Sequence, residues 1–290
     1  MAAVKTVVVL IAIVYATPAV ASPPPKPDLT EAPKKPDEPP QTKKLTPLEV
    51  KGPWYSGPYG KNRIENFAFT GALGAYLLTA SVFNLTPSAT SCRWCSVPGI
   101  DAGVRHQLLW KDTSLADTLS TYDAYVLAPL VGLTLLVAAD ADASPTRLID
   151  DVLPVFETVA VTQVLTQYGK YAFARERPYA HYAAGPVTVD SNTYSSFWSG
   201  HSVFGFAITS AAGTVCHFRH YWTEPYVWAA GITLSLSTEY FRIAADKHYL
   251  TDVVSGGLVG LATGLLIPRL MQRAVRIVPV KDGLAIAGSF

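Results

Sequence analysis

The chain has 290 residues, which is enough for one sizeable domain or at most two. It is 49% hydrophobic and only 16% charged, whereas an ordinary soluble domain carries roughly 25% charged residues, so membrane contact or an unusually large core is indicated. A formal net charge of +1 gives no reason to expect nucleic acid or an acidic partner, and any anion must therefore be recognised by a local cluster of charges.

The N-terminus has the pattern of an export signal. A lysine precedes an apolar run at residues 7–14, and Ala19-Val20-Ala21 fits the small-x-small rule for cleavage before Ser22. Residues 1–21 are therefore predicted to be a signal peptide. An uncleaved anchor helix is the alternative, although the run is shorter than the roughly 20 apolar residues of a membrane span. Residues 22–52 contain nine prolines among lysines and acidic residues, which predicts a disordered linker.

The rest of the chain is predicted to be all-α, with a helical domain at 53–276. Six apolar stretches, each near the length that crosses a bilayer, lie at about 67–85, 122–139, 150–169, 200–218, 225–242 and 252–271. They predict a six-helix bundle associated with a membrane; a soluble helical globule with a large core is the alternative. Gly256, Gly260 and Gly264 recur every four residues, which gives the last helix a small-residue face for close packing. Residues 277–290 predict a hairpin-like tail around an Asp-Gly turn.

The polar residues that carry chemistry lie where these helices end or begin. In an up-and-down bundle the end of the third helix, the start of the fourth, the end of the fifth and the start of the sixth fall on one face. Three segments that are distant in sequence can therefore meet there. They supply the candidate site residues Lys170, Arg177, Ser199, Gly200, His201, Arg242, His248 and Asp252.

Five of these residues suit the binding of a phosphate. Lys170, Arg177 and Arg242 supply three positive charges and many N–H donors for the non-bridging oxygens. Ser199 and Gly200 open a helix, where backbone N–H groups and the helix dipole favour an anion. A phosphorylated substrate is therefore expected.

The other three residues suit the chemistry of phosphoryl transfer. His248 and Asp252 are four residues apart, so that, if a helix begins near His248, the carboxylate fixes the tautomer of the imidazole and makes its other nitrogen a better nucleophile. His201, on a separate helix, is then placed to protonate the leaving oxygen and later to activate water. No aspartate cluster suited to magnesium accompanies these residues, so we expect side chains to supply the positive charge, with no metal and no cofactor.

The order Lys-x6-Arg-Pro, Ser-Gly-His and Arg-x5-His-x3-Asp resembles the three-part motif of the type-2 phosphatidic acid phosphatase superfamily, which also includes bacterial acid phosphatases and vanadium haloperoxidases. The resemblance covers roughly residues 67–271. It implies an all-α fold, a phosphohistidine at His248 that Asp252 orients, and His201 as the acid and base. It also implies that the phosphate is held by Lys170, Arg177, Ser199, Gly200 and Arg242.

Two positions depart from that family pattern. Trp198 stands where proline commonly precedes Ser-Gly-His, and Phe241 stands where serine commonly precedes the arginine. Neither change removes a catalytic group, but both are expected to reshape the pocket wall and to affect the choice of substrate. Arg175, Asp246 and Lys247 are expected at the rim of the site.

Two further segments have alternative interpretations. The tyrosine-rich stretch 179–198 is either a lid over the site or a solvated or interfacial loop. Cys92 and Cys95, two of only three cysteines, are expected to form a disulfide if the domain is exported. Redox use and half of a zinc site are the alternatives for this pair.

The sequence leaves more than one membrane topology open. If the signal is cleaved, six strict spans put the site in the cytoplasm and the basic C-terminal tail outside, against the positive-inside tendency. Either residues 1–21 are retained, or one stretch does not span, or the bundle is an exported globule that lies against a membrane. We expect a cell-envelope protein whose exported site faces the periplasm.

Four functions compete for such a chain. The first is hydrolysis of a lipid phosphate monoester or pyrophosphate, to which an apolar bundle gives lateral access. The second is a periplasmic acid phosphatase for soluble monoesters. The third is a vanadium-dependent haloperoxidase, because vanadate mimics the phosphoryl transition state and suits the same cationic pocket. The fourth is a non-catalytic membrane binding or transport protein, against which the intact His201, His248 and Asp252 argue.

Overall fold

The structure is a computed structural model that describes residues 63–83, 85–141, 143–272, 276–280 and 283–287. The predicted signal peptide and the predicted linker lie outside the described residues. The elements, in chain order, are α1 Arg63–Val82, α2 Gly99–Leu108, α3 Thr113–Tyr122, a π-helical turn Asp123–Leu127, α4 Ala128–Ala138, α5 Pro145–Phe173, α6 Pro178–His181, α7 Gly200–Arg219, α8 Glu224–Ala244, α9 Leu250–Gln272, β1 Arg276–Val280 and β2 Gly283–Ala287.

The all-α prediction for the domain is confirmed. Each of the six apolar stretches lies on a helix, and the second is longer than expected because α3, the π-helical turn and α4 continue one another. Helices α2 and α6 were not expected: α2 is short and mixes charged residues with apolar ones, and α6 has only four residues. The strands β1 and β2 pair antiparallel, with Arg276 opposite Ala287; Asp282 of the expected turn lies outside the described residues.

Helix α7 lies at the centre of the bundle and packs against α9, α8 and α5. Its contact with α9 is made by the glycine face that the sequence predicted. A Cβ atom on Gly260 would lie 2.3 Å from the carbonyl oxygen of Val203, and one on Gly256 would lie 2.8 Å from the carbonyl oxygen of Ser199. Since no side chain fits there, the backbones of α7 and α9 are in direct contact.

The bundle brings the candidate site to one of its ends. The last turns of α5 and α8, the first turns of α7 and α9 and the loops next to these helices carry the predicted residues. Helix α1 runs parallel to α5: Arg63 pairs with Asp150 at the end of the bundle away from the site, and the hydroxyls of Tyr76 and Tyr168 lie 3.2 Å apart nearer to it.

Among the described residues, two helical stretches are long and apolar enough to cross a membrane, Thr113–Ala138 and Leu250–Met271. In the most apolar part of Thr113–Ala138 only 28% is buried inside the protein. In the most apolar part of Leu250–Met271 only 33% is buried. Large apolar side chains on both stretches are therefore exposed on the outer surface, among them Leu130, Val137, Val254, Leu258 and Leu266.

Candidate active site

Three cations form one wall of a cavity of about 390 Å³ at the site end of the bundle. Helix α5 ends just beyond Lys170, where Ala174 adopts a left-handed conformation (φ 44°) and turns the chain. Arg177 follows in an extended conformation, as expected for a residue before proline, and Arg242 lies in the last turn of α8. The cavity is lined by Asp117, Thr121, Tyr125, Gln163, Gln167, Lys170, Arg177, Tyr179, Asp190, Asn192, Gly200, His201, Arg242, Lys247 and His248.

The two arginines are held by neighbours on the cavity wall. Arg177 donates from Nε to the carbonyl oxygen of Asn192 at 3.0 Å and from Nη2 to the hydroxyl of Ser195 at 3.2 Å. Arg242 donates from Nη1 to Asp117 at 2.5 Å. Asp117 also lies 3.4 Å from the ammonium group of Lys247, so one carboxylate contacts two cations at the mouth of the cavity.

The start of α7 is shaped for close approach. Ser199 is the N-cap residue, and its hydroxyl accepts a hydrogen bond from the Ser202 amide at 3.4 Å. A Cβ atom on Gly200 would lie 3.5 Å from the ammonium nitrogen of Lys170, so this glycine leaves the lysine room beside the helix terminus. Gly200 lines the cavity, and Ser199 is fully buried behind it.

His248 lines the same cavity and is only 1% exposed. Helix α9 begins at Leu250, so His248 precedes the helix rather than opening it. Its Nδ1 lies 3.7 Å from Oδ2 of Asp252 and has no hydrogen-bond partner among the described residues. The carboxylate is therefore beside the imidazole, slightly beyond hydrogen-bond distance, and the other ring nitrogen points away from Asp252.

Three hydrogen-bond donors hold the Asp252 carboxylate beside His248. Ser196 donates its hydroxyl at 2.6 Å, the Tyr249 amide donates at 2.8 Å, and Arg175 donates from Nη1 at 2.5 Å. The expectation that Arg175 lies at the rim is wrong: its side chain is 1% exposed. The sequence carries no local signal for this, because the partners of Arg175 are more than 70 residues away.

His201 faces the cavity from the first turn of α7 and has neighbours that the sequence did not predict. Its Nε2 lies 3.4 Å from the Thr121 hydroxyl, and its ring centroid lies 4.7 Å from that of Tyr125. Both residues, like Asp117, come from α3 and the π-helical turn. Their positions depend on tertiary packing, and no motif marks them.

The cations and imidazoles shift one another's pKa values. Burial, and then the charges of Arg177 and Arg242, lower the pKa of Lys170 to about 7. Burial and the same kind of repulsion lower the pKa of His201 to about 2 and that of Arg177 to about 10, and they place the pKa of His248 well below its ordinary value. Both imidazoles are therefore neutral at pH 7, and an anion bound between the cations would reverse these shifts.

Two features adjoin the cavity without adding charge. A second cavity of about 250 Å³ shares Gln167, Lys170 and Asn192 with it, and the other described residues that line it are neutral. Trp198 lies against Gly169 of α5, and Phe241 packs against the ring of Trp110. Neither of these two departures from the family pattern is among the residues that line the first cavity.

The donors for a metal ion are sparse around this site. Within the described part of the chain, no three His, Cys, Asp or Glu side chains are grouped so as to hold a metal ion. The cavity is instead lined by cations and imidazoles, which bind and transform oxyanions, together with the carboxylates of Asp117 and Asp190.

Comparisons with known proteins agree with the motif resemblance. Residues 151–276 match the model of the PAP2 superfamily. Over 98 residues the chain is 32% identical to a lipid A 1-phosphatase of Porphyromonas gingivalis. The matched residues make up 34% of this chain but only 19% of that relative's length. A crystal structure of a transmembrane PAP2 type phosphatidylglycerolphosphate phosphatase from Bacillus subtilis matches with a TM-score of 0.43 and 15% identity, over 71% of this chain and 93% of that one. The segment 151–276 that matches this family model carries every candidate site residue.

Proposed function

We propose that this protein is a phosphatase that hydrolyses a lipid phosphate monoester or pyrophosphate through a phosphohistidine at His248. One observation carries the proposal: His201 and His248 line a single cavity together with Lys170, Arg177 and Arg242. Two imidazoles beside three cations provide a nucleophile, a group that carries a proton once substrate is bound, and a binding site for the phosphoryl oxygens.

The three cations bind the phosphate. Lys170, Arg177 and Arg242 line the cavity with donors, and Gly200 adds a backbone amide at a helix N-terminus. The charge that develops on the phosphoryl oxygens is neutralised by these side chains, and for that reason we propose that turnover needs no metal. The dianionic substrate also raises the pKa values that the empty, cationic pocket lowers, so His201 becomes able to carry a proton once substrate is bound.

The first chemical step forms a bond from His248 to phosphorus. The ring nitrogen remote from Asp252 attacks, the bond from phosphorus to the leaving oxygen breaks, and protonated His201 gives its proton to that oxygen. The positive charge that develops on the imidazole is stabilised by the Asp252 carboxylate at 3.7 Å.

The second step restores the enzyme. Neutral His201 removes a proton from water, the resulting oxygen attacks phosphorus, and the bond to His248 breaks to release inorganic phosphate. The same imidazole thus serves as acid and then as base. The Thr121 hydroxyl, 3.4 Å from Nε2 of His201, is placed to hold that ring in position.

Several observations favour a lipid as the substrate. The stretches Thr113–Ala138 and Leu250–Met271 are long and apolar enough to span a membrane and are mostly not buried within the protein, unlike the core helix of a soluble domain. Both reach the site, since α3 supplies Asp117 and Thr121 and α9 supplies Asp252. The similar Porphyromonas gingivalis protein is named for a lipid phosphatase activity.

An exported site is the orientation that we propose. The structure joins Cys92 to Cys95 in a disulfide, and Trp94 within that loop packs on Arg175 beside the site. Because disulfides persist in oxidising compartments, the site end of the bundle should face the periplasm. Helix α9 then runs away from that face and ends near Arg269, which agrees with the positive-inside tendency.

The function is tested with purified protein and several substrates. Phosphate release is measured from phosphatidic acid, a prenyl pyrophosphate, lipid A and a soluble chromogenic phosphate ester, each with and without a chelator; bromide, peroxide and vanadate test the haloperoxidase alternative. We expect release from a lipid phosphate without added metal. Strict magnesium dependence, or equal absence of turnover on every phosphate, would contradict the proposal.

The membrane assignment has its own test. A carbonate wash of isolated membranes should leave the protein in the pellet, because the proposed spans hold it in the bilayer. Complete release into the soluble fraction would instead identify an exported globule that acts on soluble esters.

A further inference from the structure

Arg175 lies at the centre of a buried chain of charges behind the site. Its Nη2 donates to Asp101 at 2.7 Å, and its Nη1 donates to Asp252 at 2.5 Å. All three side chains are at most 1% exposed. Charges buried this deeply are tolerated only when they are paired and hydrogen-bonded, so the position of Asp252 depends on that of Arg175.

Two aromatic rings enclose the guanidinium group of Arg175. The ring of Trp94 lies 4.1 Å from it and the ring of Tyr249 lies 4.3 Å from it. Such stacking is favourable for a desolvated guanidinium and restricts its plane. Arg175 therefore has little freedom to rotate away from either carboxylate.

The loop that carries Trp94 is closed by the Cys92–Cys95 disulfide and pairs with the backbone around Arg175. The amide of Arg93 donates to the carbonyl oxygen of Ala174 at 3.0 Å. The amide of Glu176 donates to the carbonyl oxygen of Trp94 at 3.4 Å. The loop thus contacts the chain on both sides of Arg175.

The same segment supplies the other carboxylate. Asp101, in the first turn of α2, accepts hydrogen bonds from the amide and the hydroxyl of Thr251 at 2.9 and 2.7 Å, in addition to that from Arg175. Residues 92–101, here called the clip, therefore hold Arg175 through Trp94 and Asp101. The clip lies outside the segment 151–276 that matches the PAP2 superfamily.

We propose that Arg175 is a positioning residue for His248, acting through Asp252, and that the disulfide-closed clip is required to hold Arg175 in that role. The inference rests on the proposed function. Because Nδ1 of His248 is 3.7 Å from Asp252, a movement of under 1 Å decides whether their hydrogen bond forms. Among the described residues, the Arg175 side chain hydrogen-bonds Thr251, Asp252 and Asp101 rather than the phosphate-binding cations Lys170, Arg177 and Arg242. We therefore expect it to act on the nucleophile and to leave phosphate binding intact.

The first test separates positioning from binding. In Arg175→Met, we expect kcat to fall about 10- to 100-fold, by analogy with outer partners that orient metal-bound histidines, whereas the inhibition constant of inorganic phosphate stays within about threefold of the wild-type value. Arg175→Lys should recover part of kcat because it keeps a charge between the carboxylates. Arg147→Ala, which removes an arginine paired with Asp140 at the other end of α5, is the matched control.

A milder variant covers the case in which Arg175→Met does not fold. Trp94→Leu removes the stacked ring but leaves every buried charge paired, and it should lower kcat several-fold with an unchanged phosphate inhibition constant. Wild-type kcat in Trp94→Leu and in Arg175→Lys would overturn the proposal. Equal losses in kcat and in phosphate affinity would also overturn it, because they indicate general distortion of the site.

The second test addresses the disulfide. Cys95 is exposed, so dithiothreitol can reduce the bond, which takes up two electrons and two protons as the reagent becomes a cyclic disulfide. Reduction should lower the kcat of the wild type to that of Cys92→Ser/Cys95→Ser, and the double variant should not respond to the reagent. Unchanged kcat after complete reduction, verified by mass spectrometry, would show that the clip needs no disulfide and would overturn that part of the proposal.

A third test does not depend on turnover. The ¹⁵N chemical shifts of the His248 ring report its tautomer in the full-length protein in detergent. We expect one tautomer, with the proton on Nδ1, in the wild type and a mixture in Arg175→Met; identical spectra would overturn the positioning role. If the wild type hydrolyses no phosphate ester, the proposed function fails, while this measurement still decides on Arg175.

Discussion

Arg242→Ala tests whether the cationic wall stabilises the transition state. The side chain is only 4% exposed and lines the cavity. Deletion of one donor to a developing oxyanion costs about 3 kcal/mol. An opposing effect is smaller: Arg242 lowers the pKa of Lys170 and of His201, so its removal makes both easier to protonate, which is worth on the order of 1 kcal/mol. The net loss of transition-state stabilisation is therefore about 2 kcal/mol, so we expect kcat/KM to fall roughly thirtyfold.

The assay is the pH-matched kcat/KM for a soluble chromogenic phosphate ester, which avoids effects of lipid presentation. Arg242→Lys should lie between Ala and wild type, because lysine keeps the charge but lacks the planar fork of donors. Arg147→Ala serves as the control for loss of an arginine remote from the site. A value for Arg242→Ala within threefold of the wild type would refute the assignment of Arg242 to the phosphate.

Three more outcomes follow from the structure. His248→Ala should abolish turnover and the acid-labile phosphoenzyme that rapid quenching traps in the wild type; a labelled phosphoenzyme in the variant would exclude His248 as the nucleophile. Since Lys170 has a pKa of about 7 in the unliganded site, lowered by burial, it is charged below pH 7 and loses its proton above, so inhibition by inorganic phosphate should weaken by up to about tenfold per pH unit above 7. In Lys170→Arg this part of the pH dependence should disappear. Inhibition profiles that run parallel in the variant and in the wild type would contradict the assignment of the dependence to Lys170. Gly260→Ala should destabilise the fold by about 1–3 kcal/mol, because its Cβ would lie 2.3 Å from a carbonyl oxygen, whereas Gly74→Ala, with nothing within 4 Å, should stabilise α1 by up to about 1 kcal/mol; thermal unfolding measures both.

The parts of the fold that the sequence predicted depend on local patterns. Apolar stretches of helical length mark the six long helices, and the glycine spacing in α9 marks its contact with α7. The order of helix ends then suffices to bring Lys170, His201 and His248 to one cavity. Helix α2 was missed because a short helix with mixed polarity has no such pattern.

The second layer of the site depends on contacts that no local pattern encodes. Arg175 and Arg177 are only two residues apart in the sequence. The side chain of Arg175 is nevertheless buried behind Asp252, whereas that of Arg177 lines the cavity. The difference is made by Asp101 and Trp94, which come from a segment more than 70 residues earlier in the chain. Only the cysteine pair gave a hint that this segment has a fixed structure.

The partners of two residues expected at the rim could not be predicted for a related reason. Lys247 was expected at the rim and is about one-third exposed there, but its partner Asp117 comes from α3, which the sequence did not connect with the site. Asp246 pairs with Arg105 of α2 through two hydrogen bonds at 2.6 and 2.7 Å. Both pairs join helices that precede the segment 151–276 to residues within it.

The side-chain-free contact between α7 and α9 has a consequence for how such a site can diversify. His201 is attached to one of these helices and Asp252 to the other, and the Ser199 amide donates to the carbonyl oxygen of Asp252 at 3.0 Å. The spacing of the reacting groups thus depends on main-chain contacts between the two helices, which leave no room for a side chain. Under the proposed function, the choice of substrate would vary through cavity residues outside this contact, such as Asp117 and Thr121 of α3 and Asn192.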